Sequence, residues 1–190
     1  MKYDSFLELV KTRRSIRSFK PDPLPDSYVD QIIEAARWVP SGANSQPWEF
    51  LVVRNAQIKE KILQFIKEHG EQSRKMELTR EKGMAWPAVL RQSAKPGFAE
   101  APVWIFLLGD TRTKKAYPLT AYLNRGEAIF QSSLANTFLY MHLAATSLEL
   151  ASQWVTSTAS HYVQCMIKDL LKIPENLEIY DMMAVGYPVR

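Results

Sequence analysis

Apolar residues along this chain recur at helical spacing in some stretches and run almost unbroken in others, and the two patterns alternate. Phe6, Leu9 and Val10 predict a short helix over Ser5–Thr12. Arg13–Phe19 reads as extended, and Pro21, Pro23 and Pro25 end regular structure there. Asp26 is a candidate N-cap for a helix through Trp38, with Val29, Ile32, Ile33 and Ala36 as its inner stripe and Pro40-Ser41-Gly42 as its stop. Trp48–Val53 is nearly all apolar, which predicts a strand buried on both faces. A helix follows over Ala56–Lys75, then a second buried strand at Pro102–Gly109. The longest helix, Asn124–Leu148, lacks a polar face through Leu134–Ala145 and so belongs in the centre or at a subunit interface. Ser152–Thr158 reads as a strand, Ser160–Leu171 as a helix, and Leu177–Gly186 as the closing strand. This mixed order predicts an α+β fold.

Residues 71–98 break the pattern: they are charged, Met-rich and interrupted by Gly83, Pro87, Pro96 and Gly97. So long a weak stretch inside a compact domain is either a lid over a site or a surface decoration. Trp86, Phe98 and Met84 are the side chains that would close such a lid. With no repeat, linker or composition shift, residues 1–190 read as one domain.

The net charge of +4 sits in one place. Residues 1–20 hold six bases against two acids, an excess equal to that of the whole chain. A nucleic-acid binder spreads such charge over a face; here it crowds one short segment, which suits a small anion. The longest apolar runs are too short or too polar to span a bilayer. Acids interrupt the N-terminal segment where a signal peptide needs an apolar core, and the single cysteine, Cys165, forbids an internal disulfide, so a reducing cytoplasm is expected. Cys165 reads as a helix-packing residue. His69, His142 and His161 are isolated and show no metal spacing, and His142, on an apolar helix, reads as a satisfied core histidine rather than a base. The seven glycines never fall at a dinucleotide fingerprint.

In an extended segment side chains alternate, so Arg13, Ser15 and Arg17 share one face while Arg14 and Ile16 take the other. Two guanidiniums flanking a hydroxyl make an anion cradle. A solvated basic helix end is the other reading of the same residues.

Arg13-Arg14-Ser15-Ile16-Arg17, then Pro40-Ser41-Gly42-Ala43-Asn44-Ser45-Gln46-Pro47-Trp48, then Ala184-Val185-Gly186-Tyr187-Pro188 together resemble the nitroreductase family of FMN-dependent oxidoreductases. The resemblance implies a central, mainly antiparallel sheet flanked by helices, in an intertwined homodimer with FMN at the interface. It also implies ping-pong transfer from NAD(P)H, a transient donor, to nitroaromatic, quinone or similar electron-poor acceptors. Arg13 and Ser15 would bind the FMN phosphate, with Arg14 nearby, and Arg17 would reach the pyrimidine edge of the ring, where a cation favours the reduced cofactor. Pro40, Ser41 and Gly42 would approach the ring from the partner subunit, with Asn44 and Gln46 behind. Thr156 and Ser157 fall at the donor position for the flavin N5. The family's glycines before that strand are missing, Glu149 and Ala151 standing in the matching stretch. Where relatives carry a further basic tail, the chain stops at Arg190, a candidate substitute. No catalytic acid–base pair is implied, since the protein orients rings and excludes water.

Two alternatives stay open. The Pro40-Ser41-Gly42-Ala43 pattern, the Thr156-Ser157-Thr158 run and the charged excursion, which holds Glu71, Glu77 and Lys82 but no tyrosine and so an incomplete substrate-gripping set, also resemble the deiodinase-like branch of the superfamily, a reductive dehalogenase. A polyanion-binding module explains the charge but not the other two motifs.

Overall fold

The computed structural model describes residues 2–81, 84 and 96–189. The described strands form one four-stranded antiparallel sheet in the order β1-β2-β4-β3, where β1 is Trp48–Val53, β2 Val103–Asp110, β3 Ala151–Val155 and β4 Leu177–Gly186. The described α-helices are α1 (Tyr3–Thr12), α2 (Asp26–Arg37), α3 (Ala56–Glu77), α4 (Leu119–Ser147) and α5 (His161–Leu171).

Two helix layers cover the sheet, which is why the β2 sequence VWIFLLG shows no alternation. Val103, Ile105 and Leu107 face α4 and α2, meeting Phe130, Leu134, Phe138 and Met141 of the first and Val29, Ile32 and Ala36 of the second. Trp104, Phe106 and Leu108 face the other way, onto Ile62 of α3 and Val163 and Ile167 of α5. Every residue of β2 is buried. The strand β1 differs from expectation: it lies at an edge, Glu49 and Val52 are exposed, and its apolar run is not covered on both faces.

Several boundaries move for identifiable reasons. Pro25, with its fixed φ, precedes the first residue of α2, so Asp26 is not the cap but a first-turn acid paired with Arg54 at 2.7 Å. Asn55 does cap α3, accepting from the Ile58 N–H at 3.0 Å. That helix runs to Glu77, so the first part of the expected excursion is helical. The helix α4 begins at Leu119, directly after Pro118. The strand β3 stops at Val155; Thr156 is helical in φ and ψ, and Ser157–Ala159 form a 3-10 turn. Cys165 is exposed, not packed, because the buried stripe of α5 runs through Val163 and Ile167.

The turn from α4 to β3 carries a strained residue. Glu149 has φ 58°, the left-handed conformation that usually closes a helix with glycine. Glu149→Gly is therefore expected to stabilise the protein by about 1 kcal/mol, read as a raised urea midpoint at unchanged slope; an unchanged or lowered midpoint would refute the strain.

Candidate functional site

The arginine segment is pinned at both ends and open between. Ser15 bridges Ser152 at the start of β3, and the Ile16 N–H donates to the Ser152 carbonyl at 3.1 Å. Phe19 bridges Pro188, and the Lys20 N–H donates to the Tyr187 carbonyl at 2.9 Å. Phe19 is buried and Ile16 packs against the same core cluster. The segment is tied to the sheet at these two bridges, while Ile16 and Phe19, three residues apart, pack into the same cluster, so strict alternation does not run its whole length. Arg14 folds back onto the last carbonyls of α1, donating to those of Lys11 and Arg13. Among the described residues the Arg13 and Arg17 guanidiniums and the Ser15 hydroxyl make no hydrogen bond or ion pair. Gly97 lies against this segment so closely that a Cβ there would fall 1.8 Å from the Arg17 carbonyl oxygen.

The Pro40–Trp48 corner is a compact loop. The Ser41 hydroxyl accepts from the Gln46 N–H at 3.0 Å, the Gln46 amide donates to Asn44 Oδ1 at 3.0 Å, and the Gly42 N–H donates to Ser133 Oγ of α4 at 3.2 Å. Ala43, Asn44 and Gln46 all have positive φ, of 52°, 49° and 44°. Such strain costs of order 1 kcal/mol at each residue and gathers at ligand-contacting loops. Pro40, Asn44 and Gln46 are exposed, whereas Trp48 belongs to the core.

These two motifs are not brought together within one chain. The register aligns Trp48 with Gly109 and Gly109 with Glu178, near the start of β4; Ser152 pairs with Val185, near its end. The corner and the cradle therefore occupy diagonally opposite corners of the sheet. They are roughly 20 Å apart along the strands and about 14 Å across them.

The far end of β3 is where Thr156 and Ser157 lie. From Ser152 to Thr156 is four strand rises, roughly 13 Å. Between them stands Trp154, whose indole packs on Phe138 and stacks over His142 with ring centroids 4.6 and 5.9 Å apart. Its Nε1–H donates to Asp181 Oδ2 of β4 at 2.6 Å. His142 lies in the core as expected but is only half satisfied: its Nδ1 lies 2.8 Å from Ser152 Oγ, while its Nε2 is buried without a partner among the described residues. Burial, assisted by the nearby Arg13 charge, lowers its pKa to about 4, and burial raises that of Asp181 to about 6.

The two shifts act on stability in opposite senses. Folded Asp181 keeps a proton that the unfolded chain releases near pH 3.8, so its contribution falls as pH rises to about 6. Folded His142 rejects a proton that the unfolded chain takes up below pH 6.5, so its contribution rises with pH from about 4. Asp181→Asn removes only the first. The variant should gain on the order of 2–3 kcal/mol over the wild type between pH 4 and pH 7. Urea unfolding of both proteins across that range checks this, and parallel pH curves would contradict it.

The remaining expectations divide. Phe98 is 5% exposed and packs edge-on against Trp104, so it pins the chain to the body and does not close over a substrate. Met84 is exposed, and Glu71 lies on α3. Lys82, Trp86 and Arg190 lie outside the described residues. Sequence reasoning missed Gly97, Ser133, Trp154 and Asp181; of these only Asp181, an acid inside an apolar strand, carried a visible signal. Among the described residues no group of side chains could hold a metal ion, and no helix is long and apolar enough to cross a membrane.

The nitroreductase family model matches residues 10–187, and the chain belongs to the nitroreductase family. It is 26% identical over its whole length to iodotyrosine deiodinase 1 of Rattus norvegicus, of which it spans 64%. It is 29% identical to a protein of Methanothermobacter thermautotrophicus provisionally named NADH dehydrogenase/NAD(P)H nitroreductase, with 96% of this chain and 76% of that one covered. The fold matches that of oxidized iodotyrosine deiodinase bound to FMN and 3-iodo-L-tyrosine with a TM-score of 0.71, at 24% identity over 96% of this chain and 89% of that one. The chain spans less than two thirds of the full length of the iodotyrosine deiodinases of Rattus norvegicus, Danio rerio and Hydra vulgaris.

Proposed function

We propose that this protein is an FMN-dependent oxidoreductase, active as a homodimer, that passes electrons from NAD(P)H to a small electron-poor acceptor such as a nitroaromatic or quinone. The observation that carries the reading is the cradle: Arg13 flanks Ser15 with no acid on its guanidinium among the described residues, at the start of β3, with Arg17 likewise unpaired two positions on and Thr156 just past the strand's far end. A phosphate monoester fits that donor set. The span along β3 suits a phosphate and a planar ring joined by a ribityl chain.

FMN, when bound, supplies hydride acceptance and electron delivery; the chain supplies binding and tuning. Arg13 and Ser15 hold the phosphate, with Arg14 supporting the loop from behind. Arg17 favours negative charge at the pyrimidine edge. A main-chain N–H or hydroxyl at Thr156 or Ser157 donates toward N5. Pro40, Ser41 and Gly42 of a second copy cover the ring, with Asn44 and Gln46 bracing that corner. The diagonal separation of corner and cradle supports two-chain assembly. So does the apolar surface: α1 has no buried residue yet exposes Tyr3, Phe6 and Val10, and α4 exposes Leu119, Tyr122, Leu123, Leu139 and Tyr140.

A deiodinase-like activity is the second reading. It is favoured by the Thr156-Ser157-Thr158 run, where Thr158 is tied back to the Val155 carbonyl at 3.2 Å and the other two remain at the ring end. Turnover of a halogenated tyrosine in preference to a nitroaromatic would select it.

Purified protein should be yellow, and mass analysis of the chromophore released on heating should give FMN. A colourless protein that takes up no added FMN, and binds polyanions with steep salt dependence, would sink the proposal.

A further inference from the structure

Trp154 and Asp181 form a pair to which the functional reading gives no task. The register between β2 and β4 breaks between Leu107, opposite Asp181, and Leu108, opposite Ile179, leaving Tyr180 unpaired. Such a bulge re-aims side chains. Ile179 stays in the core on the α3 and α5 side, while Tyr180 packs on Phe138 of α4 and Asp181 accepts from Trp154 on that same side. Because β3 pairs with β4 up to Val155 opposite Met182, Asp181 stands one position past the last rung, level with Thr156. A cavity of about 290 Å³ opens there, lined by Tyr180, Asp181, Gln131, Gln164 and Ala159 of the turn after Thr156.

The indole occupies the middle of the span on which the FMN reading depends. Ser152 anchors the arginine segment, Thr156 stands at the ring end, and Trp154 lies between them, 40% exposed despite its packing on Phe138 and His142. A ligand reaching from the cradle to Thr156 must pass it. The group that fixes the indole is a carboxylate only 7% exposed.

We propose that Asp181 is a positioning residue: by accepting from Trp154 Nε1 it holds the half-exposed indole beside β3 as the wall on which the isoalloxazine rests. This rests on the FMN reading above. Tyr180 and Glu178 of β4 and His142 of α4, with Arg13 beyond it, are the titratable and charged groups around the pair. Gln131 and Gln164 are neutral, and no cation contacts the carboxylate among the described residues. Asp181 therefore also sets the local charge. Ionised above about pH 6, it opposes electron uptake by a ring beside it.

The test uses protein carrying ¹⁵N-labelled indoles, with Trp154→Phe identifying the resonance. In flavin-free protein the Trp154 indole resonance should titrate near pH 6 and lose that titration in Asp181→Asn. Added FMN should shift the same resonance. Asp181→Asn keeps an acceptor, so it should keep FMN affinity while raising the flavin midpoint potential above pH 6 and removing its inflection there. Asp181→Leu should weaken FMN about tenfold, the loss of one hydrogen bond to a charged group. Bound FMN that leaves the Trp154 resonance and the pH profile of the potential unaltered overturns this proposal alone. A wild-type protein that binds no FMN overturns the functional reading and this proposal with it. An indole resonance that neither Asp181→Asn nor Asp181→Leu shifts overturns the pairing itself.

Discussion

Arg13→Ala should weaken FMN binding about a hundredfold, and Arg14→Ala by less than about threefold. The two neighbours differ because of what the backbone does with them. Arg14 is already engaged, closing the carbonyl end of α1 through Lys11 and Arg13. Its removal costs helix-end stability and little else. Alternation around Ser15, which meets β3 through its bridge to Ser152, assigns Arg13 to the face of Ser15, and the Arg13 guanidinium has no partner among the described residues. A bidentate guanidinium–phosphate contact, worth about 2–3 kcal/mol, is what its loss removes. Titrating flavin-free protein with FMN by fluorescence quenching measures both, and equal losses would show that the face assignment is wrong.

Gly97→Ala should be the most damaging small substitution in the chain. The added methyl would sit 1.8 Å from the Arg17 carbonyl oxygen and 2.9 Å from its carbonyl carbon. Neither atom can rotate away, because the segment is tied to Ser152 on one side and Tyr187 on the other. Gly42 offers a contrast: a Cβ there meets the Ile129 Cγ2 methyl at 2.1 Å, and a side chain can turn. The backbone shift forced by Gly97→Ala should cost about 3 kcal/mol and move Arg17 with it, so stability and FMN affinity should fall together. Urea unfolding and the FMN titration read the two effects; a variant with wild-type stability would refute the close approach.

The elements that were legible in the sequence are those whose burial is complete. The unbroken β2 run and the inner stripe of α2 reached the expected places because two covered faces and one helical period leave their mark on residue order. The β1 run misled because Phe50, Leu51 and Val52 are apolar at an edge, and sequence does not tell an edge strand from a central one when both lack polar residues. The bridges at Ser15 and Phe19 agree with an extended reading of the arginine segment, which depends only on local pattern. The relation between that segment and the Pro40 corner was not legible, since it depends on a strand order in which β4 is inserted between β2 and β3. Gly97 was equally hidden: its close contact lies with a residue eighty positions earlier. Asp181 looked like a flaw in an apolar strand, and only the bulge beside it shows that it faces Trp154.

Complementation between two broken chains tests the central claim most directly, that corner and cradle meet only across two copies. Arg13→Ala and Pro40→Glu each alter an exposed or half-exposed residue and should each purify without flavin. Unfolded together and refolded, they should form mixed dimers in which one of the two sites combines an intact cradle with an intact corner, and FMN should return to that fraction. Flavin absent from the mixture, with both chains folded and paired, would contradict the account.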